Sequence, residues 1–185
     1  MGTLISYNLD ISIADALNEN SKSVIDMGCG LGYSTAALRE IFPTQDVYGF
    51  NLKNSDQYIF NEKVGQEYNF KMTHTYENIG EIDTVFASEY FEHFERPIEH
   101  LVHIIETLNP KYFIVANSFN TNSIGHFHEY KHNNRFFDET INETKISRRW
   151  NNELRAMGYT KLNTKIFNSK PSLFVRNSEL PYFIG

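Results

Sequence analysis

The sequence predicts an α/β fold with a mostly parallel sheet and helices on both faces, and three observations predict it. Apolar runs of strand length alternate with segments of helical period. The first apolar run ends in a glycine-rich turn that leads directly into a helical segment. The last two apolar runs, near 159–167 and 172–176, are placed to pair as an antiparallel hairpin at a sheet edge. At 185 residues the chain has the size of one domain, taken here as 1–185. Folding at this length buries about 70% of the unfolded surface, so no staples are needed. A hydrophobic share of 41% with 15% aromatics excludes a disordered chain.

The elements follow in order. ISIADALN, 11–18, reads as a short helix, and VIDM, 24–27, as a buried strand. Residues 28–32 form the glycine turn, and 33–41 the helix after it. DVYGF, 46–50, is a second strand, and 55–68 is helical. NFKMT, 69–73, and DTVFA, 83–87, are the third and fourth strands. Pro97 opens the next helix, with Ile98, Leu101, Val102, Ile105 and Leu108 as its apolar stripe. YFIVA, 112–116, is the fifth strand. The long polar stretch 117–143 is read as containing an active-site loop. A helix over 145–157 buries Ile146, Trp150 and Leu154, and Gly158 stops it.

Composition excludes several classes. A single cysteine cannot form an internal disulfide. No apolar run approaches the roughly 18–20 residues of a membrane span, and the first residues do not read as a secretory signal, so a cytoplasmic location is expected. The net charge of −6 runs against a nucleic-acid-binding surface. Lys145, Arg148 and Arg149 are the one local basic group of note and fit a solvated helix face.

The stretch VIDMGCGLGYSTAAL carries the strongest signal. Gly28, Gly30 and Gly32 let the backbone turn tightly and let a ligand approach it. The spacing departs from the dinucleotide G-x-G-x-x-G, because Tyr33 stands where its third glycine would fall. Asp26 precedes the loop, and an acid there suits a ligand with a cationic amino group.

At Asp26, Gly28, Cys29, Gly30 and Gly32 the chain resembles the class I S-adenosylmethionine (SAM)-dependent methyltransferases, whose first motif is an acid, one residue, then G-x-G-x-G. The resemblance runs over roughly 10–176 and implies their Rossmann-like sheet and SAM as cofactor. VYGFNL is similar to the second motif, with Asn51 where the family has an acid for the ribose hydroxyls; an amide accepts less strongly than a carboxylate. On the same resemblance His74 or Thr75 lies near the adenine, and Ser88, after the fourth strand, joins His74 in the cofactor set. Asn109, Pro110 and Lys111 replace the usual Pro-Gly-Gly before the fifth strand.

After the fourth strand comes SEYFEHFERP, where Glu89, Glu92 and His93 form E-x-x-E-H. On a helical turn these positions share one face. Two carboxylates and an imidazole suit Mg²⁺ or Mn²⁺, and also admit Zn²⁺, Fe²⁺ or Co²⁺. GHFHEY offers His126 or His128 as a further ligand. The pattern is similar to two branches of the family, the small-RNA 3′-terminal 2′-O-methyltransferases and the ubiquinone-pathway O-methyltransferases. The first also carries a later H-x-x-E-aromatic segment; His126, Glu129 and Tyr130 match it, which favours His126. Two readings stay open: Glu89, Glu92 and His93 serve catalysis through a metal, or acid and imidazole brace the loop, with His93 as a general base. His100 and His103 are read as a solvated face, and Cys29 as a small residue without a nucleophile's role.

These readings add up to a SAM-dependent methyltransferase acting by metal-assisted O-methylation on a small or sugar-like hydroxylated acceptor, in cell-surface glycan or secondary metabolism. An RNA-terminal 2′-O-methyltransferase is the rival within the class. A SAM-binding partner or sensor without transfer activity is the rival outside it. Ser118, Asn120 and Asn122 are candidates for the acceptor pocket. A lid is expected from 117–143 or from a second subunit of a homodimer.

Overall fold

The computed structural model describes residues 11–53, 57–120, 123–134, 137–162 and 171–183. Helix α1 (Ile11–Asn20) leads into strand β1 (Ser23–Met27), followed by α2 (Tyr33–Ile41), β2 (Asp46–Phe50), α3 (Tyr58–Tyr68) and β3 (Lys71–Thr73). Then come β4 (Thr84–Ser88), a 3₁₀ turn (Phe91–His93), α4 (Pro97–Leu108) and β5 (Tyr112–Ala116). A ribbon of β6 (Glu129–Asn134) and β7 (Phe137–Asn142) precedes α5 (Glu143–Ala156), β8 (Tyr159–Leu162), β9 (Ser172–Arg176) and a closing 3₁₀ segment (Asn177–Tyr182).

The seven-stranded sheet runs β3-β2-β1-β4-β5-β9-β8. β1 to β5 are parallel, and β9 pairs antiparallel with both β5 and β8. The expected α/β sheet with its edge hairpin is what the chain forms, although 163–167 of the expected strand lie outside the described residues. Alternation along each strand splits the core in two. Ile25, Met27, Phe113, Val115 and Phe174 face α4 and α5. Val24, Ile114, Leu173 and Val175 face the side covered by α1 and α2.

Local chemistry sets the ends. Pro97 occupies the first turn of α4 as expected, while the buried stripe is Ile98, Leu101, Ile104 and Leu108, with Ile105 only partly covered. α5 starts two residues before the expected 145, because the Asn142 side chain caps it by accepting from the Lys145 N–H at 3.0 Å.

The stretch 117–143 differs most from expectation. Much of it is the antiparallel ribbon β6–β7, separate from the main sheet. Two side chains, Tyr130 and Ile141, root it in the core. Its outer edge is fastened to the start of α4: Arg96 grips Asp138 through both nitrogens, and the Lys131 N–H donates to the Glu95 carbonyl at 2.8 Å.

Candidate active site

Register brings the site together. Met27 lies beside Phe50 and Ala87, Phe50 beside Thr73, and Ser88 beside Ala116. The loops that follow β1 to β5 therefore leave one edge of the sheet side by side. β1 is where the strand order reverses, and that is where α/β sheets open a crevice for ligands.

The glycine loop stands at this point. Gly28, Gly30 and Gly32 have φ of 71°, 56° and 91°, all in the left-handed region. At Gly28 a second constraint applies: an added Cβ would fall 2.5 Å from Cδ2 of Tyr90. Cys29 is 5% exposed beneath the loop, and its N–H donates to the Phe50 carbonyl at 3.0 Å. Burial, with Asp26 nearby, pushes its thiol up to about 12, which fits a packing residue.

Asp26 is buried at the end of β1. One of its oxygens accepts from the Ser34 hydroxyl at 2.6 Å and from the Thr35 hydroxyl at 2.7 Å. Burial pushes its carboxyl up to about 6, against the pull of those two bonds. The acid thus ties the start of α2 to the strand and sets the loop between them.

Asn51 also works on the loop. Its amide N–H₂ donates to the Gly30 carbonyl at 3.1 Å and to Gln57 at 3.3 Å, and its oxygen accepts from the Leu52 N–H at 2.9 Å. A carboxylate in its place could not make the bond to Gly30, since it has no donor. Asn61, buried in α3, donates to the same carbonyl at 3.1 Å. Sequence reasoning missed Asn61; its signal is an amide on the covered face of α3, three and four residues before Val64 and Gly65. His74, past the end of β3, bonds the Asn51 carbonyl at 3.0 Å through Nδ1. Ser88 is half-buried at the last position of β4.

On the other side of the crevice, Glu89, Glu92 and His126 converge, each offering a ligand atom within 4.8 Å of the others. Glu89 has φ of 50°, a conformation uncommon outside glycine and concentrated at functional sites. Ser118 ties the two acids together: its hydroxyl donates to Glu89 at 2.7 Å and its N–H to Glu92 Oε1 at 2.8 Å. Glu92 is fully buried, and its other oxygen, Oε2, has no hydrogen-bond partner. Burial raises the Glu92 carboxyl, and the neighbouring Glu89 charge adds to the rise. A carboxylate left in this state calls for a counter-charge. The donor set, two carboxylates and one imidazole, fits a divalent cation.

Of the expected ligands, His93 stands outside this group. It is exposed, and its Nδ1 lies 3.0 Å from the Gly125 carbonyl. That bond places the proton on Nδ1 and leaves the Nε2 lone pair available. Its ring meets the His126 ring edge to face, with centroids 4.9 Å apart. His128 pairs instead with Glu143 at 3.3 Å, which supports His126 as the member of the cluster.

Tyr90, between the two acids, was not anticipated as a site residue. It is 7% exposed, presses on Gly28, and meets His100 Nε2 through its hydroxyl at 2.8 Å. His100 is therefore not a solvated residue: it stacks on Phe94 at 3.9 Å, and burial pushes its imidazole down to about 4. His103 is exposed, as expected. Among the other expected residues, Ser118 is in the site, Asn120 is exposed, Phe50 and Phe119 are core, and Tyr33 opens α2 at 62% exposure. Asn122 lies outside the described residues.

A parallel sheet with a glycine loop at its switch point and an antiparallel edge hairpin defines a Rossmann-like methyltransferase fold. The methyltransferase-domain family model matches residues 5–164, and the chain belongs to that family. No curated protein matches it significantly. Among solved structures it is similar to the fibrillarin pre-rRNA processing protein of Methanococcus jannaschii, with a TM-score of 0.57 and 13% identity over 84% of this chain and 65% of that one. It is also similar to the mitomycin 7-O-methyltransferase MmcR, with a TM-score of 0.59 and 12% identity over 94% and 51%. For the N-terminal domain of EvdMO1 with SAH bound, the values are 0.53 and 13% over 88% and 77%. The likeness at these identities is one of fold, and the chain spans about half of MmcR and two thirds of the fibrillarin protein. Among the described residues no helix is long and apolar enough to cross a membrane.

Proposed function

We propose that this chain transfers the methyl group of SAM to a hydroxyl oxygen of a small or sugar-like acceptor in the cytoplasm, with a divalent cation held by Glu89, Glu92 and His126. The observation that carries this reading is the cluster itself: three ligand atoms within 4.8 Å, one side chain fully buried with an unpartnered carboxylate oxygen, beside the glycine loop. The family supports methyl transfer, and the relatives supply two further hints, since one is named for O-methylation and another has SAH bound.

SAM, when bound, supplies an electrophilic methyl, and a cation, when bound, makes a hydroxyl more acidic and orients it. The chain's own residues do the rest. The backbone of 28–30 receives the cofactor, and Asp26 and Asn51 hold that loop in shape from below and from the side. Ser118 aligns the two carboxylates. His93 Nε2 takes the acceptor's proton, its tautomer fixed by Gly125.

The test is Mn²⁺ binding by calorimetry, together with methylation of a panel of hydroxylated acceptors before and after chelation. The proposal expects saturable Mn²⁺ binding, loss of transfer with chelator and recovery with Mn²⁺. Metal content and activity that stay unchanged in Glu89→Gln and Glu92→Gln would remove the metal from the reading. The net charge of −6 favours a small acceptor over RNA; salt-sensitive methylation of an RNA end would reverse that choice. SAM binding without turnover on any acceptor would favour a sensor.

A further inference from the structure

In a Rossmann-like sheet the cofactor's ribose is met at the end of the second strand, about 20 residues past the glycine loop, ordinarily by an acid that accepts from the hydroxyls. In this chain that position is Asn51, 21 residues after Gly30. Its hydrogen-bonding groups are already committed. The backbone N–H donates to the Thr73 carbonyl at 3.2 Å, and the backbone carbonyl meets His74 Nδ1 at 3.0 Å. The side-chain N–H₂ donates to the Gly30 carbonyl at 3.1 Å and to Gln57 Oε1 at 3.3 Å, while Oδ1 accepts from the Leu52 N–H at 2.9 Å. Both amide hydrogens are therefore taken, and one lone pair of Oδ1 is left.

The same bonds fix orientation. A carbonyl can only accept and a backbone N–H can only donate, so Gly30 and Leu52 together decide which way the Asn51 carboxamide faces. Its N–H₂ needs an acceptor at Gln57, which holds Gln57 Oε1 inward and turns the Gln57 N–H₂ away. Gln57 is exposed and stands over the loop. Among the described residues, and apart from chain neighbours, its Oε1 is the one atom within 4 Å of a Cβ built on Gly30, at 3.6 Å. The space beside the Gly30 backbone is otherwise open to a ligand, and Gln57 bounds it.

We propose that Gln57, and not the residue at the end of β2, binds the ribose hydroxyls of SAM, with Asn51 as the positioning residue that holds the Gln57 carboxamide over the loop. The Gln57 N–H₂ donates to one ribose oxygen, and the second lone pair of Oε1 accepts from the neighbouring hydroxyl. The assignment rests on SAM as the cofactor and is independent of the metal and of the acceptor.

The test is calorimetry on the full chain, without metal, using SAH and its 2′-deoxy and 3′-deoxy analogues. Wild type is expected to bind SAH about three- to tenfold more tightly than the weaker analogue, the worth of one neutral hydrogen bond. Gln57 is exposed and its side chain makes no capping bond to α3, so Gln57→Ala is expected to fold as wild type does. That variant is expected to bind SAH about three- to tenfold more weakly and to bind both analogues as well as it binds SAH. A merely structural role for Gln57 would lower all three affinities together and keep their ratios. Asn51→Asp has no donor for Gly30 or Gln57 and is expected to weaken SAH. If Asn51 itself met the ribose, the aspartate would tighten SAH, because a carboxylate accepts more strongly than an amide. Discrimination kept in Gln57→Ala, tighter SAH binding by Asn51→Asp, or a wild type indifferent to the missing hydroxyls would each overturn the proposal. A wild type that binds neither SAH nor the analogues would overturn the cofactor assignment and this one with it, so the two failures are told apart by wild-type SAH binding alone.

Discussion

Glu92 is the residue on which the site turns. Its buried Oε2 lacks a partner, so the folded chain bears a desolvation cost that a cation would offset. Glu92→Gln keeps the shape and removes the charge. We expect Mn²⁺ affinity to fall at least about tenfold, with thermal stability of the metal-free protein held or raised. Calorimetry and melting without metal read the two effects separately; unchanged Mn²⁺ affinity would refute the assignment. Gly28 gives a second prediction. A Cβ there meets Tyr90 at 2.5 Å from a backbone at φ 71°, so Gly28→Ala should cost about 1–3 kcal/mol and displace the ring. Urea denaturation gives the cost, and SAH calorimetry should show weakened binding. Glu89, Glu92 and His126 were legible in the sequence because their spacings are local signals. The contact of Tyr90 with Gly28 was not, since it joins residues 62 apart through the packing of two loops.

At the scale of elements, the ribbon β6–β7 decides whether the cluster closes. His126 lies just before β6, and Tyr130, fully buried, roots that strand in the core. Tyr130→Ala should cost about 3 kcal/mol and loosen the ribbon. Since the glycine loop lies on other elements, Mn²⁺ affinity is expected to fall while SAH affinity holds. Equal losses of both would mean that the ribbon supports the whole crevice. The ribbon is also the element the sequence showed least. Among the described side chains of EYKHNN and FDETIN only two are buried, too few for an apolar alternation to stand out. β1, β4 and β5 were legible because both of their faces are covered, which requires unbroken apolar runs. The half-buried His100 of α4 departs from the expected solvated face for a related reason. Its cover comes from Phe94 and Tyr90 across the turn before the helix, outside any helical period.

For the whole molecule, a buried and a half-buried group tie folding to protons in opposite senses. Asp26 titrates near 6 in the folded state and near 3.8 ordinarily. Folding therefore favours its protonated form, and the stability this lends at low pH is lost as pH rises from about 4 to about 6. His100 is pushed down from 6.5 to about 4, first by burial and then by His103. Folding disfavours its protonated form, so its contribution is full above 6.5 and is lost as pH falls toward 4. Each shift corresponds to about 3 kcal/mol at 1.36 kcal/mol per pH unit. The two slopes overlap and oppose, and Glu92, also raised by burial, acts in the sense of Asp26. Asp26 and His100 alone would hold the melting temperature nearly flat between pH 4.5 and 6, and Glu92 tilts the metal-free wild type toward lower stability as pH rises. Single variants expose the hidden terms. Asp26→Asn retains an oxygen for both hydroxyl donors, and relative to the wild-type profile its melting temperature should drop by roughly 5–10 °C as pH falls from 6.5 to 4.5. His100→Gln retains an acceptor for Tyr90, and its melting temperature should rise over the same interval. Calorimetric scans of the three proteins decide the matter. If both variants keep the wild-type profile, neither group is coupled to folding.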